Sequence, residues 1–161
     1  MRKLFFELFL VLIFISACQT NLSSSLELPS IISENMVLQR NTTVPIWGKG
    51  SPGTEITVAY DWGAQEKTVV NNNGKWKVNI ETPQAGGPHK LTIASKDSSF
   101  SFENIMIGEV WLGSGQSNME MPVQGWPPKN PIKNSEEVIQ NANYSKIRLF
   151  NAERATALNP Q

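Results

Sequence analysis

A β-sandwich followed by the opening of an α/β unit with a parallel sheet is the fold class that this sequence predicts, and three observations carry it. Between Leu26 and Ile107 apolar and polar residues alternate in short runs, the period of half-buried strands. Glycine, asparagine and proline clusters punctuate those runs as turns. After Gly108 the pattern changes to a compact apolar run, a glycine-rich loop, a helix start and a second apolar run, the order of a βαβ unit.

The first residues are set apart from that fold. Arg2 and Lys3 precede an almost unbroken apolar run from Leu4 to Ile15, broken only by Glu7 and too short to span a bilayer. Residues 1–17 are therefore expected to be a signal peptide. The tetrapeptide Ile15-Ser16-Ala17-Cys18 resembles the lipobox of bacterial lipoproteins. That resemblance implies a diacylated Cys18 as the first mature residue and an exported chain anchored to the cell envelope, facing the periplasm or the cell surface. Two or more acyl chains hold a protein firmly on a membrane. The alternative is a buried N-terminal helix with a free core cysteine. Cys18 is the only cysteine, so no disulfide framework or thiolate cluster is expected. Residues 18–25, polar and serine-rich after Cys18, read as a short tether.

Residues 26–107 are expected to form an immunoglobulin-like sandwich with strands at Met36 to Gln39, Val44 to Trp47, Glu55 to Tyr60, Glu66 to Val70, Trp76 to Ile80, His89 to Ala94 and Phe100 to Ile107. Ile56, Val58 and Tyr60 share one strand face, as do Trp76, Val78 and Ile80, and these faces should meet in one core. Gly48 to Gly53 and Pro83 to Pro88 read as loops, and Asn71-Asn72-Asn73-Gly74 as a hairpin turn.

Residues 108–161 are expected to be an incomplete hydrolase-type domain. Glu109 to Leu112 reads as a strand, Ser135 to Ala142 as a helix with Ser135 at its N-cap and Glu136 and Glu137 in its first turn, and Lys146 to Phe150 as a second strand. A lone βαβ unit cannot cover both faces of a parallel sheet, and no terminating element precedes Gln161. The chain is therefore expected to be a truncated product.

The stretch Gly113-Ser114-Gly115-Gln116-Ser117-Asn118-Met119 is the most informative for chemistry. A hydroxyl at the carboxyl end of a parallel strand, on a turn made tight by glycine, projects where open α/β folds put their sites. Ser117 is the serine in that place, and Gly115 is expected to supply a conformation closed to other residues. The Ser117 N–H would face the same spot, where a donor stabilises an oxyanion. Spacing alone leaves a plain strand-to-loop turn equally open.

The longer run from Gly108 through Trp111, Ser117 and Met119 to Pro122 resembles the signature of the sialate O-acetylesterase family, SGNH-type carbohydrate esterases. Leu38-Gln39 and Val44-Pro45-Ile46-Trp47-Gly48 resemble that family's N-terminal β domain, and Ile147 to Phe150 resembles its second sheet strand. The resemblance implies a truncated start of an SGNH-type parallel-sheet domain, with Ser117 as catalytic nucleophile and an acetyl-enzyme intermediate. It implies an O-acetylated sugar or polysaccharide as substrate and no cofactor, with Gln116 and Asn118 shaping the loop or binding substrate. The family's base is a histidine far downstream of the serine, with an aspartate a few residues before it; this sequence has no such segment, so the chain alone is expected to be inactive.

The remaining candidates are weak. His89, the only histidine, sits in a Gly-Gly-Pro-His turn and reads as solvated. Asp61, Asp97, Glu103, Glu109 and Glu120 lack the pairing of an acid and base couple and read as surface charges. One histidine and no thiolate cluster exclude a metal site. Trp111 and Trp126 flank the serine motif and are placed to line a sugar cleft, while Trp47, Trp62 and Trp76 read as packing the sandwich or its rim. With 40% apolar and 17% charged residues, zero net charge and no basic stripe, nucleic acid is excluded as a partner. A rival class is a non-catalytic carbohydrate-binding or adhesion lipoprotein in which the β-sandwich functions.

Overall fold

The computed structural model describes residues 26–152. Cys18 and the signal-peptide and tether segments at residues 1–25 lie outside the described residues, as do residues 153–161.

All seven strands expected before Gly108 form, in the expected order and with ends within three residues of the expected ones: β1 (Val37–Gln39), β2 (Thr43–Lys49), β3 (Glu55–Tyr60), β4 (Glu66–Val69), β5 (Lys75–Glu81), β6 (Gly86–Ala94) and β7 (Ser99–Gly108). Five of them make one mixed sheet in the order β1-β7-β6-β3-β4, and β2 pairs with β5 in a separate antiparallel ribbon. The strands curl into a half-barrel rather than two matched sheets of an immunoglobulin-like sandwich.

The core lies between ribbon and sheet. In β5 the period of two is complete: Trp76, Val78 and Ile80 are buried while Lys75, Lys77, Asn79 and Glu81 are exposed. Ile46 of β2 joins them, and Ile56, Val58, Leu91, Ile93 and Ile105 meet them from the sheet. Leu26, Ile32, Leu38 and Val70 close the edges of this cluster. Trp47, on the opposite face of β2 from Ile46, points outward and packs no core.

Two turns show how the strands are steered. At Asn71–Gly74 the Asn71 side chain accepts from the N–H groups of Asn73 and Lys75 at 2.9 and 3.0 Å, and Gly74 takes a left-handed φ of 71°. The turn therefore forms, but it does not close a hairpin ladder: β4 pairs with β3 and β5 with β2, so the chain crosses here from sheet to ribbon. At Gly48 the strand is crossed closely. Glu27 and Lys49 exchange backbone hydrogen bonds of 3.0 and 2.9 Å, and a Cβ on Gly48 would lie 2.3 Å from the Glu27 carbonyl oxygen and 2.9 Å from the Trp76 ring.

Beyond β7 the expected βαβ order is only partly realised. A helix forms at Ser135–Gln140, here α2, after a single helical turn α1 (Ser117–Glu120) and a two-residue ribbon of β8 (Gly125–Trp126) and β9 (Asn130–Pro131). Its N-cap is Asn134, in a left-handed conformation with φ 60°, and Ser135 is the first helical residue. Neither flanking strand forms. Residues 109–112 and 146–150 belong to no ladder, and their apolar side chains face solvent: Trp111 is 87%, Leu112 94% and Leu149 95% exposed. Apolar runs become parallel strands only when neighbours satisfy their backbone and cover their faces, and no described element does so.

The crossing at Gly48 yields a direct expectation. Gly48→Ala forces either the Glu27 backbone or the Trp76 ring to move, and overpacking of this kind costs about 1–3 kcal/mol. Denaturant unfolding followed by tryptophan fluorescence should show a lower midpoint with an unchanged slope; an unshifted midpoint would contradict the close approach.

Candidate functional site

The serine segment starts at the end of a parallel strand pair. β1 runs parallel to β7 with Gln39 opposite Gly108, and the Arg40 N–H donates to the Gly108 carbonyl at 2.9 Å. Side chains then grip the next two residues. The Glu109 carboxylate accepts from Gln39 Nε2 at 3.0 Å and from Arg40 Nε at 2.6 Å, and the Val110 N–H donates to Gln39 Oε1 at 2.8 Å. Gln39 thus uses both ends of its amide on consecutive residues of the segment. The hydrogen bond from Gln39 and then that from Arg40 hold the Glu109 carboxyl below the usual glutamate range, against a small opposing effect of burial. Glu109, expected as a free surface charge, is the anchor of this segment.

From Trp111 the chain runs without a ladder to Gln116, the N-cap of α1. Ser117 is the first residue of that turn, and the Met119 N–H closes it on the Gln116 carbonyl at 2.9 Å. Gln116, Ser117 and Asn118 are all exposed, so the hydroxyl is not packed into the apolar interior. Residues 113–116 are not helical. Gly115 has no left-handed φ, which corrects the expectation that it supplies an unusual backbone shape. Its role is room: a Cβ on Gly115 would lie 2.8 Å from Met119 Cγ, and one on Gly113 3.0 Å from Met119 Cε. The Met119 side chain folds back over both glycines, and that packing shapes the loop ahead of Ser117.

His89 is placed differently from expectation. It is no solvated turn residue but sits in β6, its Nδ1 2.8 Å from Asp61 Oδ1, its ring edge-on to Trp62 at 5.2 Å. The other Asp61 oxygen accepts from the Lys90 N–H at 2.8 Å. Trp62 in turn donates to the Glu81 carbonyl at 3.0 Å, so this cluster ties the sheet to the ribbon. No hydrogen bond joins His89 or Asp61 to Ser117, and the structure does not bring them together as a triad. Among the described residues no group of three or more histidine, cysteine or acidic side chains is arranged to hold a metal ion.

Sequence reasoning missed Gln39 and Arg40, which hold the start of the serine segment, and Asn35, Asn104 and Arg148, which hold the chain near residue 148. Arg148 Nη1 donates to the carbonyls of Asn35, at 2.9 Å, and of Asn104, while Nη2 reaches Asn104 Oδ1 at 3.0 Å. The only sequence signal for it is a charge inside an apolar run. Arg148 is turned toward the β unit while Ile147 and Leu149 face solvent.

No family model matches the sequence. Over 151 residues the chain is 28% identical to the sialate O-acetylesterase of Mus musculus, an overlap of 88% of this chain and 27% of that protein. Over 131 residues it is 31% identical to the sialate O-acetylesterase of Rattus norvegicus, covering 75% and 23% of the two. Its fold is similar to the crystal structure of a carbohydrate acetylesterase from Xanthomonas citri, with a TM-score of 0.66 and 30% identity over 74% of this chain and 26% of that one. The chain spans about a quarter of the length of these relatives.

The grip on Glu109 sets a pH dependence. Its carboxyl titrates lower when folded than when unfolded, so its contribution to stability is present above the ordinary glutamate range and is lost as the pH falls through the lower, folded value. Carboxyl-resolved NMR titration should place Glu109 below the exposed glutamates, and Arg40→Met should move it up toward them. Coincident midpoints in the unaltered chain would contradict the anchor.

Proposed function

Because the chain belongs to the sialate O-acetylesterase family, we propose that it supplies the β scaffold and the nucleophile-bearing segment of an exported carbohydrate O-acetylesterase. The observation that carries this reading is the placement of Ser117. It stands exposed at the start of a helical turn, at the end of a segment that leaves the edge of the β unit through the Gln39, Arg40 and Glu109 anchor.

In this mechanism the Ser117 Oγ attacks the acetyl carbonyl of an O-acetylated sugar. The carbonyl oxygen becomes a tetrahedral oxyanion, and the Ser117 N–H, a first-turn donor with no acceptor inside its helix, is available to it. Collapse expels the sugar hydroxyl and leaves acetyl-Ser117, and water then releases acetate and restores the serine. Gln116 and Asn118 shape the loop or contact the substrate, and the exposed Trp111 and Trp126 supply flat faces of the kind that stack on sugar rings.

The finer fold reading follows from the same premise. Residues 108–152 are the opening of an SGNH-type parallel-sheet domain, in which Val110 to Leu112 and Ile147 to Phe150 become ladder strands once further strands flank them. Their solvent-facing apolar side chains support this, because such surface in a soluble protein marks a face awaiting a partner. The proton of Ser117 needs a base, and no described residue is hydrogen-bonded to its hydroxyl. By the family resemblance that base is a histidine downstream of Ser117, with an aspartate a few residues before it. The same reading includes export as a lipoprotein through Cys18, on the strength of the basic and apolar leader and the tetrapeptide before that cysteine.

Two arms test the proposal. The chain alone should release acetate from an aryl acetate no faster than its Ser117→Ala variant. A chimera in which this chain replaces the matching quarter of the Xanthomonas citri acetylesterase should be active, and Ser117→Ala in that chimera should lower turnover by about 10⁴-fold or more. A chimera equally active with alanine at 117 would remove Ser117 as the nucleophile.

A further inference from the structure

We propose that Asn35, Met36 and Asn104 form a guanidinium socket at the edge of the five-stranded sheet, and that Arg148 seated in it holds the chain from about Tyr144 onward against the β unit. The socket does not depend on the esterase reading and would stand if Ser117 proved inert.

The socket begins with an irregularity in β7. His89 pairs with Ile105 and Leu91 with Phe102, so Glu103 and Asn104 together face the single residue Lys90. The extra residue is Asn104, which takes a left-handed φ of 54°, a conformation asparagine tolerates better than most side chains. A bulge of this kind re-aims what the strand would otherwise commit to its ladder. Here it turns both the carbonyl and the side-chain amide of Asn104 toward the start of β1. Asn35, just ahead of β1, is also left-handed with φ 64°, and its Oδ1 accepts from Asn104 Nδ2 at 2.7 Å. The two asparagines brace each other, and four oxygens converge on one point.

Arg148 fills that point. Nη1 lies 2.9 Å from the Asn35 carbonyl oxygen, 3.4 Å from that of Met36 and in contact with that of Asn104, and Nη2 donates to Asn104 Oδ1 at 3.0 Å. Two nitrogens on separate oxygens require a planar fork, which an ammonium group does not have. Burial identifies the contact independently: from residue 141 to 152 Arg148 alone is not classed as exposed. The chain beyond it stays close, since Phe150, Asn151 and Ala152 line one shallow groove with Ser30. Among the described residues this stretch has no buried core of its own, and the Arg148 fork is its strongest hold on the β unit.

Chemical rescue separates a socket from an arginine that merely happens to lie nearby. Hydrogen exchange on the whole chain should show that Arg148→Gly raises exchange at least roughly tenfold across 144–152 and at Asn35, Met36 and Asn104, the effect of losing hydrogen bonds to a charged donor. Exchange in β3 and β5 should stay unchanged, which certifies that the variant is folded. Millimolar methylguanidinium should restore protection at Asn35, Met36 and Asn104, and methylammonium at equal ionic strength should not. Asn104→Gly keeps the left-handed backbone but removes Oδ1, so it should weaken the rescue while the sheet stays folded. Unchanged exchange in Arg148→Gly, or equal restoration by methylammonium, would overturn the proposal.

Discussion

One core, closed when the β2–β5 ribbon folds over the five-stranded sheet, is the constraint on which the rest of this chain depends. Ile46, Trp76, Val78 and Ile80 bring the apolar face of the ribbon onto Ile56, Val58, Leu91, Ile93 and Ile105. Burial of that surface is the main favourable contribution available to the fold. Gly48 permits the closure because the ring of Trp76 and the carbonyl of Glu27 occupy the space a side chain would need. Among the described residues after Gly108 no apolar side chain is buried, and Gly125 is the only buried residue from 109 to 152.

The segment that carries Ser117 and the stretch around Arg148 are consequently held by polar contacts made from outside the core, one set at each end of β1. At the carboxyl end of that strand Gln39 and Arg40 take Glu109 and Val110; at its amino end Asn35 and Met36 take Arg148. A three-residue edge strand, paired with β7 on one side, thus connects the stable β unit to a region that is otherwise solvent-exposed. Polar contacts at exposed sites are worth far less than core burial. The arrangement fixes where the serine segment leaves the β unit without fixing the rest of its course.

How much of this the sequence discloses depends on whether the cause is local. The strands were readable because each half-buried strand writes its own period, as in Trp76-Lys77-Val78-Asn79-Ile80. Turn chemistry was readable at Asn71–Gly74, but its destination was not, because an asparagine-glycine turn fits a corner between sheets as well as a hairpin within one. Glu109 to Leu112 and Lys146 to Phe150 have strand composition, and composition carries no information about whether a neighbouring strand is present to pair with. The motif singles out Ser117 in the sequence, but the contacts that hold the segment ahead of it have no local signal. The bulge at Asn104, the left-handed Asn35 and the inward turn of Arg148 arise from register and packing between segments far apart in sequence.

Amide hydrogen exchange measured residue by residue across the unaltered chain bears most directly on the claim that one core supports everything else. Strong, uniform protection should be confined to β2, β3, β5, β6 and β7, with residues 111–116 exchanging at rates close to those of an unfolded peptide and residues 135–152 protected far less than β5. Protection of Val110 to Leu112 and Ile147 to Phe150 at the level of β5 would mean a second packed sheet already exists, and the single-core description would be wrong.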